Sequence, residues 1–235
     1  YGPNESRARR RRRLNALNLL KEAGVEKILI GAETGSNEQM SRYQKGIAVK
    51  DVRMAIQRIR ACGIIVEAEL IFFDPWVNAG HMRKSIELIG KSRLYETCYC
   101  IYTPMRIYEN SGFLSALKEE GLLQGDANAD VNVLHYPYSF KDRRTEEIFG
   151  YHEAWEAKTP NFRQFLRKLY RNAADAGAER LLHTYLHTLS KLEFKMMEGL
   201  VCARTEKQRM AIFAKTMIEL HGYLMIVERG FIDDH

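Results

Sequence analysis

The chain has 235 residues, 46% hydrophobic and 28% charged, which is ordinary for a globular protein of one larger or two smaller domains. Its net charge of +6 is local: Arg7 and Arg9–Arg13 carry it, and without those six the basic and acidic residues balance at 30 each. No apolar run approaches the ~20 residues that span a bilayer, no apolar segment follows the N-terminal charges as in a signal peptide, and no C-x-x-C occurs.

Four cysteines, Cys62, Cys98, Cys100 and Cys202, are too sparse for a disulfide framework and suit a reduced, cytoplasmic setting. The chain opens on Tyr1 rather than Met, so the expectation is a fragment, a processed product or a separate subunit. The Arg run could meet nucleic acid or an acidic membrane. No aromatic stacking pattern or base-reading motif accompanies it, so a solvated helix start or flexible arm is the simpler reading.

In chain order, Arg9–Ala23 reads as a helix stopped by Gly24, and Lys27–Gly31 as a short apolar strand. Val49–Cys62 has apolar residues at Val49, Val52, Ile56 and Ile59, a helical period that stops at Gly63. Ile64–Phe73 is the second strand, and His81–Ser92 a helix with Ile86 and Ile89 inward. Thr97–Thr103, "TCYCIYT", is the third strand, and Phe113–Glu120 a helix with Ser111 as its N-cap and Gly121 beyond its end. Strands separated by helices of this length predict βαβ units and a parallel sheet. Residues 124–140 are rich in Gly, Asn, Asp and Pro and read as a linker or long loop.

The remainder reads as helix. Arg144–Ala157 and Phe162–Asn172 are the shorter pieces. Ala178–Cys202 carries Leu181, Leu182, Tyr185, Leu186, Leu189, Leu192, Met196 and Leu200 on one stripe, and Glu206–Arg229 carries Met210, Phe213, Met217, Leu220 and Leu224. The expected fold is thus α/β then all-α. Residues 1–123 form a partial (β/α) barrel segment with parallel strands, 124–143 a linker, and 144–235 a helical C-terminal domain.

Ligands of such sheets sit at the carboxyl ends of the strands. Glu33 lies at that end of the first strand, and period-2 alternation turns Glu67, Glu69 and Ile71 to one face of the second. Glu33 and Glu69 could converge on one cavity, with Lys45 at its rim. Two carboxylates accept from ribose hydroxyls and ammonium groups, and a lysine suits a ligand carboxylate. The competing reading makes Glu33 a turn cap and Lys45 a solvated surface residue, and spacing alone favours it.

"LLKEAGVEKILIGAETGSNEQMSRYQKG", Leu19–Gly46, resembles the radical S-adenosylmethionine (SAM) enzymes at the fourth strand of their partial (β/α)6 barrel. "VRMAIQRIRACGIIVEAELIFFDPW", Val52–Trp76, resembles the next helix and fifth strand, with a Phe-Asp-Pro ending found in members that often carry a cobalamin-binding domain. "YTPMRIYENSGFLSALKEEGLL", Tyr102–Leu123, resembles the region after the sixth strand. The resemblance implies SAM as cofactor. Its contacts would be Glu33 at the strand tip, Ser36 in the same turn, Lys45 near the methionyl carboxylate, Glu69 toward the ribose, Phe72 and Phe73 where the strand backbone runs beside the adenine, and Tyr102 on the sixth strand. No catalytic residue and no metal ligand is assigned within the chain.

The family's C-x-x-x-C-x-x-C, which holds its [4Fe–4S] cluster, does not occur in the sequence. The resemblance therefore implies that the cluster ligands lie outside this chain, on an N-terminal barrel half in the same polypeptide or a separate one. On that reading the chain alone is inactive, and the complete enzyme performs radical chemistry on a small-molecule or peptide substrate, with cobalamin-assisted methylation one option. The alternative is an inactive half-barrel that acts as an interaction module through its Arg-rich segment. Cys98 and Cys100 read as small core residues rather than cluster ligands, and His183 and His187, at i, i+4, lack an obvious third ligand. Asp74, ahead of Pro75, is read as shaping a turn, with a substrate-side role as the alternative.

Overall fold

A computed structural model describes residues 6–98, 101–126, 128–130, 133–159 and 176–233. They fall into two compact units, the first drawn from residues 1–94 and 100–147 and the second from 95–99 and 148–235. The expected helix at 162–172 and the position of Cys100 lie outside the described residues.

The first unit opens with α1 (Arg7–Glu22), whose N-cap Ser6 accepts from the Arg9 N–H at 3.2 Å. The helix stops where Gly24 turns left-handed, φ +87°, and the Val25 N–H returns to the Leu20 carbonyl at 2.9 Å. Leu17 is the buried residue of this helix among its described side chains, and Arg7, Arg9, Arg11 and Arg12 are exposed at its start. β1 (Lys27–Glu33) and β2 (Ile65–Phe73) then pair in parallel, joined by α2 (Asn37–Arg42) and α3 (Val49–Ala61). Val49, Val52, Ile56 and Ile59 of α3 are all buried, the face its period predicts. α4 (Ala79–Lys91) follows, capped by Asn78, whose Oδ1 accepts from the Gly80 and His81 N–H groups.

Among the described residues the third strand is shorter than its sequence predicts. A 3-10 turn covers Leu94–Glu96, and of the described residues in 97–103 only Thr103 pairs with β2, as part of β3 (Thr103–Pro104), whose two residues lie opposite Ile71 and Phe73. The sheet order is β1-β2-β3, so β1 forms an edge among the described residues. Its two faces differ. Val66, Ala68, Leu70 and Phe72 of β2 are buried, whereas Leu29, Gly31, Ile65 and Glu69 are exposed. A parallel sheet is normally covered on both faces, so this open face and free edge are unusual.

After β3, α5 (Gly112–Glu119) starts at Ser111, whose hydroxyl accepts from the Phe113 N–H. Leu114 and Leu117 pack with Tyr43, Met105 and Ile107 into a core cluster. Residues expected as a linker carry a short antiparallel pair, β4 (Asn128–Asp130) and β5 (Val133–His135), and return through Ser139, whose N–H donates to the Leu122 carbonyl. Tyr138 donates to the Phe73 carbonyl at 2.9 Å, which ties this segment to the end of β2.

α6 (Arg143–Glu156) begins in the first unit. The second unit is built from its later turns, α7 (Ala176–Cys202) and α8 (Glu206–Asp233). Leu182, Leu186, Leu189, Met196 and Leu200 of α7 are buried as the stripe predicts. α8 approaches α7 closely at Gly199, where an added Cβ would meet Ile212 Cγ2 at 3.0 Å. Two members of the expected stripes, Leu181 and Met210, are exposed instead. Sequence runs alone missed one further point. Through Glu206–Val227, α8 is long and apolar enough, by length and composition, to cross a bilayer. Its isolated charges break every run without lowering the average enough. The same helix buries Thr216, Leu220 and Val227 and leaves Met210, Ile218, Met225 and Ile226 exposed.

Candidate functional site

The strand tip where Glu33 sits is built by a bulge. Pairing runs regularly from Lys27 opposite Ile65 to Gly31 opposite Glu69, then slips so that Glu33 faces Leu70. Glu33 takes a left-handed backbone, φ +57°, which is costly for a residue with a Cβ and is found disproportionately at functional sites. The side chain folds back over Gly31. A Cβ built on Gly31 would lie 2.7 Å from Glu33 Oε1, so a glycine is what leaves room for the carboxylate. That missing Cβ would point to the open face shared with Glu69, the register partner of Gly31. The two carboxylates therefore lie on one side of the sheet, at the carboxyl end of its strands.

Lys45 comes to the same place. Its Nζ is 2.7 Å from Glu33 Oε1, delivered by the turn after α2 in which Gln44 and Gly46 both have positive φ. Glu69 is exposed and has no ion-pair or hydrogen-bond partner among the described residues. Lower on the face, Lys27 pairs with Glu67 at 2.8 Å. The arrangement offers a carboxylate and an ammonium side by side, with a second acceptor one strand away.

Beneath this rim lies a buried polar network. Asp74, just past β2, is fully buried. Its Oδ2 accepts from Gln39 Nε2 (2.8 Å) and from the Tyr43 hydroxyl, its Oδ1 accepts from the Trp76 N–H (2.7 Å), and the Arg42 guanidinium stands 3.6 Å away. Gln39 in turn accepts from Thr34 Oγ1 (2.6 Å), and Thr34 Oγ1 accepts from the Ser36 N–H (3.1 Å). Ser85 of α4 accepts from the Gly35 N–H at 3.0 Å. Burial and the neighbouring Asp74 carboxylate push the Tyr43 hydroxyl far above the ordinary phenol range, which keeps it a donor. The network pins the β1–α2 loop, with Glu33, Ser36 and Lys45 on or beside it, to the end of β2. Asp74 thus does more than shape its own turn.

The other expected contacts are placed differently from one another. Ser36 is fully buried, and its Oγ has no hydrogen-bond partner among the described residues, an orphan hydroxyl within the loop. Phe72 and Tyr102 are buried together, ring centroids 4.9 Å apart, so these side chains belong to the aromatic core. Phe73 is buried beside Phe140, and its carbonyl already accepts from the Met105 N–H and the Tyr138 hydroxyl. The open face thus gathers Glu33, Lys45 and Glu69, with Ser36 behind them. Phe72, Phe73 and Tyr102 support the sheet from within.

No cysteine cluster accompanies the site among the described residues, where Cys62, Cys98 and Cys202 form no disulfide. His183 is exposed and His187 half-buried near Tyr95, and among the described residues neither belongs to a group of three possible metal ligands. Such a group does occur at His152, Glu156 and Glu193, which the sequence alone did not bring forward. Its signals were a His and a Glu four apart on one helix, and a lone acid, Glu193, inside an apolar stripe.

No family model matches the chain. Among curated proteins it is similar to the 4′-phospho-dehydrooxetanocin synthase of Priestia megaterium, at 21% identity over 275 aligned residues that take in 99% of this chain and 37% of that protein. Among solved structures it superposes on the cobalamin-dependent S-adenosylmethionine radical enzyme OxsB with aqua-cobalamin and S-adenosylmethionine bound. The TM-score is 0.83 at 17% identity, over 100% of this chain and 42% of that one. Over that span the fold is the one seen in this solved enzyme. The same enzyme with only aqua-cobalamin bound gives a TM-score of 0.75 at 18% identity, over 95% of this chain and 36% of the other. The radical SAM resemblance of the sequence thus extends to the fold, including the helical region after the strands. The chain spans about two fifths of the length of the proteins it matches.

Proposed function

We propose that this chain is the C-terminal portion of a radical SAM enzyme and supplies one wall of its SAM site. The observation that carries the reading is the Glu33–Lys45 pair standing with Glu69 on one open sheet face. A carboxylate beside an ammonium is the complement of an α-amino-carboxylate, the polar end of SAM, and a second carboxylate one strand away suits the ribose diol. The orphan Ser36 hydroxyl fits the same polar ligand. The backbone of β2 at Phe72 and Phe73 would border the adenine, with Tyr102 behind it.

The cysteines of this chain do not fit an iron–sulfur cluster. The three described cysteines, Cys62, Cys98 and Cys202, lie on α3's C-cap, after the 3-10 turn and at the end of α7, and the sequence has no C-x-x-x-C-x-x-C. The cluster belongs to another part of the complete enzyme. What these residues do is bind and orient. Lys45 neutralises the ligand carboxylate, Glu33 and Glu69 accept from its ammonium and hydroxyls, and the Asp74 network holds the β1–α2 loop that follows Glu33. The free β1 edge and open face fit an N-terminal barrel half as partner, with cobalamin-assisted methylation of a small-molecule or peptide substrate as the reaction class. The likeness to OxsB, a cobalamin-dependent radical enzyme whose structure holds aqua-cobalamin and SAM, supports that class.

The test is SAM titration calorimetry on the complete enzyme. Wild type should bind, and Glu33→Ala and Glu69→Ala should each bind more weakly by about tenfold or more, the loss of a charge-assisted hydrogen bond of ~1.5–3 kcal/mol. Absence of SAM binding in wild type, or unchanged affinity in both variants, would overturn the assignment.

A further inference from the structure

A second site, independent of the SAM reading, lies within the helical unit. His152 and Glu156 are four residues apart on α6, so both project from one face of that helix. Glu193 belongs to α7 and occupies the stripe that otherwise buries Leu189, Met196 and Leu200. The ligand atoms of all three lie within 4.8 Å of one another. His152 and Glu193 are buried, their side chains 9% and 5% exposed, and Glu156 is half-buried. Three ligand atoms this close together can share one cation, and a metal ion there would offset the cost of placing the Glu193 carboxylate in the interior.

The spacing indicates which positive charge. His152 Nε2 and Glu193 Oε1 are 3.5 Å apart. That is outside the range of about 2.7–3.2 Å typical of an N–H···O hydrogen bond. It matches the edge of a coordination tetrahedron, since two ligand atoms each ~2.1 Å from a zinc ion stand about 3.4 Å apart. An imidazole nitrogen with two carboxylate oxygens also selects among metals. The nitrogen disfavours Mg²⁺ and Ca²⁺, which take oxygen, and the absence of sulfur from the set disfavours Cu⁺. The surroundings are those of a metal centre, a small polar set in an apolar shell. Trp155, Met196 and Met197, neighbours on the same two helices, are completely buried.

We propose that His152, Glu156 and Glu193 bind one divalent first-row metal ion of the zinc type and thereby cross-link α6 to α7. Three protein ligands leave a fourth position for water, so the site is open rather than closed.

The experiment uses the full-length protein, stripped with chelator and titrated with ZnCl₂ by calorimetry, with metal content measured after gel filtration. Wild type should take up one Zn²⁺ that depends on these three residues. X-ray absorption at the zinc edge should show a nitrogen/oxygen shell that includes an imidazole. His152→Ala and Glu193→Gln should each weaken binding by more than about tenfold, since even outer-shell changes at metal sites cost 10–100-fold. Glu156→Gln, at a half-buried position, serves as the third variant should either buried substitution unfold the unit. Three results would each overturn the proposal: no bound zinc in wild type, which leaves His152 and Glu193 an ordinary ion pair; a sulfur-containing shell, which would move the metal to the cysteines; or affinities unchanged in every folded variant.

Discussion

Glu33 Oε1 stands 2.7 Å from Lys45 Nζ, at a residue whose backbone is left-handed and whose side chain occupies the space that a Cβ on Gly31 would need. The strain is local and the ion pair is too solvated to offset it. The side chains are 18% and 41% exposed, and such pairs contribute ~0–1 kcal/mol. Binding therefore accounts for the arrangement better than stability does. Lys45→Met should shift the melting temperature by no more than a surface substitution does, while SAM affinity in the complete enzyme falls by about tenfold or more. Parallel thermal unfolding and calorimetry check this, and a large loss of stability with unchanged affinity would reverse the roles.

Two glycines four residues apart should respond differently to alanine. At Gly31 the new methyl meets the end of the flexible Glu33 side chain, which can swing away, so the cost falls on the position of the carboxylate rather than on folding. At Gly35 it meets backbone: the Lys84 carbonyl oxygen at 2.2 Å and Ser85 Cα at 2.6 Å. The β1–α2 loop must then lift from α4 and lose the Gly35 N–H bond to Ser85. Gly35→Ala should cost ~1–3 kcal/mol or more, in the range of overpacked cores, and Gly31→Ala clearly less. Urea unfolding of the two variants separates them, and equal costs would contradict the account.

The Asp74 network predicts a stability effect tied to loop order. Tyr43→Phe removes one donor to a buried carboxylate that still needs its charge satisfied, a loss of ~1.5–3 kcal/mol. Gln39→Leu breaks the link from Asp74 to Thr34 and through it to Ser36. Amide hydrogen exchange should rise first at residues 34–36 in this variant. Exchange that rises uniformly across the unit would mean that the network stabilises the fold without pinning the loop.

Acid should loosen the first unit through Glu120. Its carboxylate accepts from Lys141 Nζ (2.7 Å) and the Trp76 indole N–H (3.0 Å), and the Lys141 bond first, then the indole, holds it below the ordinary value of 4.5. A group with a depressed folded-state pKa contributes stability that is fully present above its unfolded value and lost as pH falls through the folded one. Melting temperature should therefore hold steady above about pH 5 and decline below 4.5. Glu120→Gln should flatten part of that decline. An identical acid limb in the variant would assign the effect to other carboxylates.

The sequence made β1, β2 and the helix faces legible because each repeats a simple period: two for Glu67–Glu69–Ile71, and three to four for Val49–Val52–Ile56–Ile59. It also brought Glu33, Lys45 and Glu69 together as candidates through strand position and alternation, although only the resemblance outweighed the reading of Glu33 as a turn cap and Lys45 as a solvated residue. The third strand misled. "TCYCIYT" has the aromatic and β-branched residues of a strand, yet β2 offers pairing to β3 only at Ile71 and Phe73, and propensity does not specify register. The network around Asp74 is not legible in the sequence, because its partners Gln39 and Tyr43 precede it by more than thirty residues and no local pattern joins them. The His152–Glu156–Glu193 group was hidden for the same reason, since two of its members share a helix and the third does not.

The open sheet face makes a last prediction that holds whether or not SAM binds. Leu29 and Ile65 are 57% and 45% exposed on neighbouring strands, and β1 presents an unpaired edge among the described residues. An exposed apolar pair beside a free parallel edge invites another strand, whether from a barrel half or from a second copy of the chain. Expressed alone, the chain should self-associate in a concentration-dependent way. Leu29→Lys should suppress this more than Leu19→Lys does, although Leu19, at 64% exposed, is at least as accessible, because Leu19 lies on a helix with no edge beside it. Sedimentation velocity on the three proteins decides the matter: equal relief from both substitutions would mean that exposure alone drives association, and the β1 edge would then have no special part in it.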